Sequence, residues 1–115
     1  MSGVAEVLSI AVGLLSSMLG WQHEIVYEYT RLVYSSPSVQ VFLETTHGRT
    51  SEIVAQAVAD LIRMNVEALK NRNDIALEYG RIQQHRELTS SESSLLREIR
   101  EERKRLERNA ERLGL

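Results

Sequence analysis

The chain has no cysteine, and this absence excludes several kinds of chemistry at once. Without a thiol there is no disulfide bridge, no thiolate-bound metal and no cysteine nucleophile. The sequence also has no phosphate-binding glycine loop, no dinucleotide-binding glycine motif, no Gly-x-Ser-x-Gly nucleophile motif and no His-Glu-x-x-His zinc motif. We therefore predict that the protein is not an enzyme and that it needs no cofactor.

Long hydrophobic runs and an excess of one charge are also missing. The stretch without a charged residue from Val7 to Gln22 has sixteen residues, whereas a membrane-spanning helix needs about 20 apolar residues. We therefore predict a buried helix here and no membrane span. The net charge of -2 argues against extensive phosphate binding by the chain as a whole, but it leaves room for a local basic surface.

The apolar residues recur with helical spacing along the chain, which predicts an all-α fold. We expect a small bundle of four or five helices with an extended charged C-terminal helix. The length of 115 residues suits a single domain, in which residues 1–88 form the bundle core and residues 89–115 form the charged amphipathic helix.

The first predicted helix, from Val4 to Leu19, carries small or polar residues along one side. They recur three or four residues apart: Ser2, Glu6, Ser9, Gly13, Ser16 and Gly20. Small residues at this spacing let two helix backbones approach closely. We therefore expect a neighbouring helix to pack on this stripe, and other helices to pack on the large apolar residues Val4, Leu8, Leu15 and Met18.

The composition of residues 22–34 fits a strand, but their spacing fits a helix. Their β-branched and aromatic residues favour a strand, and a hairpin that pairs residues 24–34 with residues 39–46 is the alternative. However, Trp21, Ile25 and Tyr29 share one helical face, and there is no alternation with period two. We predict a helix, followed by a short one with Ser36 as N-cap, Pro37 in the first position and a stop at Gly48.

The segment from residue 51 to 87 has the broadest apolar face, which covers about half of the helical wheel. Either Thr50 or Ser51 is its predicted N-cap. The pattern is compatible with one long helix or with two helices that meet near Asn71, Asn73 or Gly80. The residues of this apolar face are Ile53, Val54, Ala57, Val58, Leu61, Met64, Ala68 and Leu69.

Half of the residues from Ser90 to Leu115 are charged, and the charges and apolar groups lie on opposite faces of a helix. Ser90 or Ser91 is the expected N-cap, with Glu92 in the first turn. The heptad pattern has Leu96, Arg103 and Ala110 at a and Ile99, Leu106 and Leu113 at d, with Leu95 beside them. Three heptads with an arginine at a form only a marginal coiled coil, so this helix needs either the bundle or a second copy of itself.

These patterns predict a non-enzymatic structural subunit of a homo-oligomer or of a larger multiprotein assembly. Tyrosine and tryptophan are enriched at protein interfaces, and the C-terminal helix supplies an apolar stripe. The residues predicted to form the protein interface are Trp21, Tyr27, Tyr29, Tyr34, Phe42, Leu95, Ile99, Leu106 and Leu113. We expect such a protein in the cytoplasm or within a viral or nucleoprotein particle.

An alternative prediction is an assembly protein that binds DNA or RNA backbone through the basic stripe of the C-terminal helix. The stripe consists of Arg97, Arg100, Lys104, Arg108 and Arg112. Neighbouring glutamates could equally neutralise it as a solvated surface. This alternative includes a small helical subunit of a CRISPR-type surveillance complex and a coat protein of an archaeal virus; no family motif identifies either, and the chain shares with them only length, helical content and a basic stripe.

A second alternative is a helical metal-binding protein. Glu44 and His47 have the Glu-x-x-His spacing that places two ligands on one helix face, as in di-iron bundles. Such a site needs further carboxylates in the bundle core, and His47 lies directly before a glycine at a predicted helix end. The competing interpretation is a C-terminal histidine stabilised by the helix dipole.

Overall fold

The computed structural model describes residues 3–115 and confirms the all-α prediction. This part of the chain is 81% helical and contains no strand. Its five helices are α1 (Val4–Leu19), α2 (His23–Tyr34), α3 (Pro37–Glu44), α4 (Ser51–Gln83) and α5 (Ser90–Arg112). None of the helices in this range is both long and apolar enough to cross a lipid bilayer.

Helix α1 has the predicted bounds, but it does not pack through its small residues. It ends at Gly20, whose φ of 69° is in the left-handed region that glycine tolerates. Most of the stripe faces solvent: Glu6, Ser9 and Gly13 are exposed, Ser16 is half-buried, and a Cβ added at Gly13 would meet nothing within 4 Å. Ser2 lies outside the described residues. Close approach of a neighbouring backbone at this stripe was therefore a wrong prediction.

The core contacts of α1 come from its larger side chains. Leu8 and Leu15 are buried as predicted, whereas Val4 and Met18 are 41% and 43% exposed. The buried face consists of Val7, Leu8, Ala11, Val12 and Leu15. Burial of this broad aliphatic face removes more apolar area from water than packing of the small-residue stripe would.

Helix α2 confirms the helical interpretation of residues 22–34 and contradicts the hairpin. Val26, Tyr29 and Leu32 are buried at helical spacing, so the gain from packing outweighs the strand propensity of these residues. Pro37 is the first residue of α3 as predicted, but the hydroxyl of Ser36 makes no capping bond to the backbone. Helix α3 ends at Glu44, before the predicted stop at Gly48.

Helix α4 is a single uninterrupted helix of 33 residues. At 1.5 Å per residue it is about 50 Å long, close to the 53 Å longest dimension of the molecule. The side chain of Thr50 caps its N-terminus by accepting a bond from the Ile53 backbone N–H at 3.5 Å. Neither Asn73 nor Gly80 interrupts it. Its N-terminal half packs against α1 and α2, and its buried residues are Ser51, Val54, Ala55, Val58, Ala59, Ile62, Val66 and Leu69.

Helix α5 packs on α2 and α4 through the predicted heptad seam. Leu96, Ile99 and Ala110 are buried, and Leu106 and Leu113 are half-buried. The N-cap is Thr89, one residue before the predicted serines. Its hydroxyl accepts from the Glu92 N–H at 3.2 Å, while Glu92 accepts from the Thr89 N–H at 2.8 Å. This capping box satisfies two backbone donors and fixes where the helix begins.

Candidate assembly surface and basic face

The long helix α4 carries an apolar row that its own chain does not cover. Met64 is 74% exposed, Ile53 is 55% exposed and Leu61 is 44% exposed. With Ala57 and Ala68 they recur every three or four residues, which places them on one side of the helix. We call Ile53, Ala57, Leu61, Met64 and Ala68 the outer seam of α4.

The outer seam is the half of the predicted apolar arc that the fold leaves unburied. Its inner half is buried, as Val54, Val58 and Leu69 show. The outer seam lies outside the core because α1 and α2 pack on the adjacent side of the helix. Of its members only Ala57 is half-buried, and the other four are exposed. The sequence contains a signal that only part of this arc is buried. The arc covers half of the helical wheel, which is wider than the core stripe of an ordinary surface helix.

Further apolar residues extend the outer seam along the second half of α4. Ile75, Tyr79 and Ile82 lie on the same side of the helix and are half-buried. From Ile53 to Ile82 the row is about 44 Å long at 1.5 Å per residue. Exposed Asn71 is the one polar member of the row between Ala68 and Ile75.

The two edges of the outer seam differ in charge. At 100° per residue, Asp60, Glu67 and Asp74 lie along one edge, and Asn65 and Arg72 lie along the other. Asp74 forms an ion pair with Lys70 at 2.8 Å, whereas Asp60 and Glu67 have no ion pair within the described residues. The row is therefore apolar in the middle and acidic on one side only.

Several residues predicted at the protein interface belong instead to the chain's own core. Tyr29, Tyr34 and Ile99 are 2–5% exposed, and burial raises the pKa of the Tyr34 phenol above its usual value. These three assignments to a surface were wrong. The apolar faces of α2 and α5 that sequence spacing identified pack against the chain's own core. Trp21, Phe42 and Leu106 pack partly buried against the core, Leu95 and Leu113 are half-buried, and Tyr27 remains 42% exposed.

Arg103, the arginine at a heptad a position, bridges three helices. Its guanidinium donates to the Glu28 carboxylate of α2 and, at 3.1 Å, to the Asn73 side-chain oxygen of α4. It also lies 5.9 Å from the centre of the Tyr29 ring. Burial alone would lower the pKa of Arg103, but the hydrogen bond and charge of Glu28 raise it. An arginine at this position thus replaces a hydrophobic contact with a polar link among α2, α4 and α5.

Two α5 glutamates are held by arginines of other helices. Glu107 pairs with Arg31 of α2 at 2.7 Å, and Glu102 pairs with Arg72 of α4 at 3.3 Å. Arg31 also donates to the Leu115 carbonyl at 3.0 Å. These carboxylates therefore stabilise the docking of α5 and do not neutralise the cations on its outer side.

The outer side of α5 is basic, and its cations are exposed. The face consists of Arg97, Arg100, Lys104, Arg105, Arg108 and Arg112, which we call the basic face. Within residues 3–115 none of these six forms an ion pair within 4.0 Å; Arg112 donates to the Asn109 side chain at 2.8 Å. Glu101 and Glu111 are carboxylates on the same side, and exposed Glu98 lies at its edge, 20° from Arg105 at 100° per residue. Five of the six were identified from the sequence, and Arg105 was missed because it lies at the edge of the wheel.

The predicted Glu-x-x-His pair does not share a helix face. Glu44 is the last residue of α3, and exposed His47 lies in the turn that follows. Across residues 3–115 no group of three or more His, Cys, Asp or Glu side chains is arranged to hold a metal ion. The helix ends too early for the i, i+3 geometry that this spacing needs.

Comparisons with known proteins identify no relative. The chain matches no protein-family model, no curated protein and no solved structure. The outer seam of α4 and the basic face of α5 are therefore assigned from the residues of this chain alone.

Proposed function

We propose that the protein is a non-enzymatic structural subunit that assembles with copies of itself through the outer seam of α4. The observation that carries this proposal is the row of exposed apolar side chains at helical spacing on the longest helix. Contiguous exposed apolar patches are uncommon on monomeric soluble proteins and mark interaction sites. Met64, at 74% exposed, lies at the centre of the seam and gains most from being covered.

The spacing of the seam fits an α-helix as the partner. Ala57, Leu61, Met64 and Ala68 are separated by four, three and four residues, which is the repeat of a coiled-coil interface. Asn71 continues this repeat, and a single polar residue in such an interface selects one register. A helix with the same repeat is present in every copy of this chain, namely α4 itself.

The charges at the edges of the seam favour parallel packing of two α4 helices. In a parallel pair related by a twofold axis, the acidic edge of one helix faces the other edge of its partner. That edge carries Asn65 and Arg72, and Arg72 keeps its ion pair with Glu102 of its own chain. In an antiparallel pair the acidic edges would face each other, which costs free energy. We therefore propose a parallel pair.

The test is the molar mass of the purified protein in solution, measured by size-exclusion chromatography with light scattering over a range of concentrations. Met64→Asp places a charge in the seam. Val41→Asp is the matched control, because Val41 is also highly exposed, at 61%, but lies on α3. Circular dichroism melting of each variant checks that the bundle remains folded.

We expect a wild-type mass of at least twice the 13.1 kDa chain. Met64→Asp should shift the mass to that of the monomer without loss of helix content, and Val41→Asp should keep the wild-type mass. A wild-type monomer at every concentration, or equal behaviour of the two variants, would contradict the proposal.

A further inference from the structure

The basic face of α5 has properties that self-assembly through α4 does not use. Its six cations are exposed and have no ion pair within the described residues. Six cations against the three carboxylates Glu98, Glu101 and Glu111 leave an excess of three positive charges on one side of one helix. The chain as a whole has a net charge of -2, so the positive charge is concentrated here.

The fold removes two of the carboxylates that could neutralise the basic face. Sequence spacing allows Glu102 and Glu107 to pair with cations of their own helix, but both carboxylates are directed toward Arg72 and Arg31. These inter-helix pairs hold the opposite side of α5 against the bundle. The cations of the outer side are thereby presented to solvent on a fixed helix.

The arrangement fits an extended row of phosphates. From Arg97 to Arg112 the helix rises about 22 Å. Apart from Arg105, the cations recur every three or four residues along that length. A nucleic-acid strand presents regularly spaced phosphates over the same distance. Arginine suits this role because its guanidinium donates two parallel hydrogen bonds to a phosphate.

A lipid surface fits the basic face less well. Helices that bind membranes place apolar side chains into the lipid boundary beside their cations. The apolar side of α5, with Leu96, Ile99 and Ala110, is buried against the bundle, and the basic face has no large apolar residue. We infer that the basic face of α5 binds the phosphodiester backbone of a nucleic acid, without reading the bases.

The experiment measures binding to a fluorescein-labelled duplex DNA and to a single-stranded RNA by anisotropy, over a series of salt concentrations. The test variant is Arg100→Gln/Lys104→Gln/Arg108→Gln. The control variant, Arg49→Gln/Arg63→Gln/Arg81→Gln, has the same net charge, but its three exposed arginines lie outside α5. Cosedimentation with phosphatidylserine vesicles is measured in parallel.

A net excess of three positive charges predicts a slope of about -2.7 for log K against log salt on duplex DNA, or about -2.1 on a single strand. Removing three of the six cations should reduce the magnitude of the duplex slope by about 2.7 and weaken binding at low salt by at least about tenfold. The control variant should bind nucleic acid like the wild type. In the Met64→Asp background, binding should still be lost when Arg100, Lys104 and Arg108 become glutamine. No binding to either nucleic acid, equal loss in both triple variants, or binding to vesicles alone would overturn the inference.

Discussion

Arg103 provides the most specific prediction about stability, because one side chain links three helices. Its side chain is 31% exposed and that of its partner Glu28 is 43% exposed. Exposed ion pairs contribute about 0.2–1 kcal/mol, and hydrogen bonds to charged groups contribute about 1.5–3 kcal/mol. Because both side chains are partly exposed, solvent screens the pair, and we expect a coupling of about 1 kcal/mol between Arg103 and Glu28, at the upper end of the range for exposed ion pairs.

The substitution Arg103→Met keeps a long apolar side chain but removes the bonds to Glu28 and Asn73. The loss of these bonds and of the contact with the Tyr29 ring should together lower the free energy of unfolding by about 2 kcal/mol. For a chain of this length, that lowers Tm by about 8 °C. Arg105→Met is the matched control: Arg105 is exposed and has no ion pair within the described residues, so its removal should cost less than about 0.5 kcal/mol.

Urea unfolding of wild type, Glu28→Gln, Arg103→Met and the double variant forms the cycle that measures the coupling directly. A coupling of about 1 kcal/mol, with a smaller effect of Arg105→Met, supports the role of Arg103. A coupling near zero, or equal effects of Arg103→Met and Arg105→Met, would refute the assignment of Arg103 as the link among α2, α4 and α5.

Three further predictions concern the core and the start of α5. Ile62→Ala removes a side chain that is 0% exposed and should cost about 3 kcal/mol in urea unfolding; a cost below about 1 kcal/mol would contradict its burial. Thr89→Ala removes the capping box and should cost about 1 kcal/mol, while Thr89→Ser should restore most of the stability; an unchanged Tm in Thr89→Ala would contradict this. Arg86 and the Thr89 backbone lower the pKa of Glu92 from 4.5 to about 2. Because this pKa is lower in the folded state, the carboxylate stabilises above pH 4.5 and the effect is lost as the pH falls toward 2. The Tm advantage of wild type over Glu92→Gln should shrink across that range, and a constant difference would contradict it.

Helix positions could largely be predicted from the sequence, because local signals define them. The bounds of α1, the first position of Pro37 and the helical nature of α2 all follow from spacing and from end signals. The continuity of α4 could not be predicted. Asn71, Asn73 and Gly80 lower helix propensity by amounts that packing against α5 offsets.

The side of each helix that is buried could be predicted only in part. The small-residue stripe around Gly13 and the seam around Met64 had the spacing of packing surfaces, yet both face solvent. Periodicity identifies an apolar face but does not say whether the neighbour comes from the same chain. Tyr29 and Tyr34 show the opposite error. Their residue type is common at interfaces, but both side chains are buried in the chain's own core.

The candidate sites differ in how far the sequence defined them. The basic face was visible as a stripe, because charge pattern on a helix depends only on local spacing. Its lack of neutralisation was not visible, since the ion pairs of Glu102 with Arg72 and of Glu107 with Arg31 join residues far apart in the chain. The polar link at Arg103 also depends on three helices meeting, which no local pattern specifies.

The most direct test of the central claim is disulfide formation across the outer seam. The natural chain has no cysteine, so each introduced thiol reports on its own position. In a parallel α4 pair, Met64→Cys, Ala57→Cys and Asn71→Cys each meet the same residue of the second copy within disulfide reach. On mild oxidation we expect disulfide-linked dimers from all three, and none from Gln56→Cys on the polar side of α4. Linking at Gln56 as readily as at Met64, or no linking at Met64, would contradict parallel assembly through the outer seam.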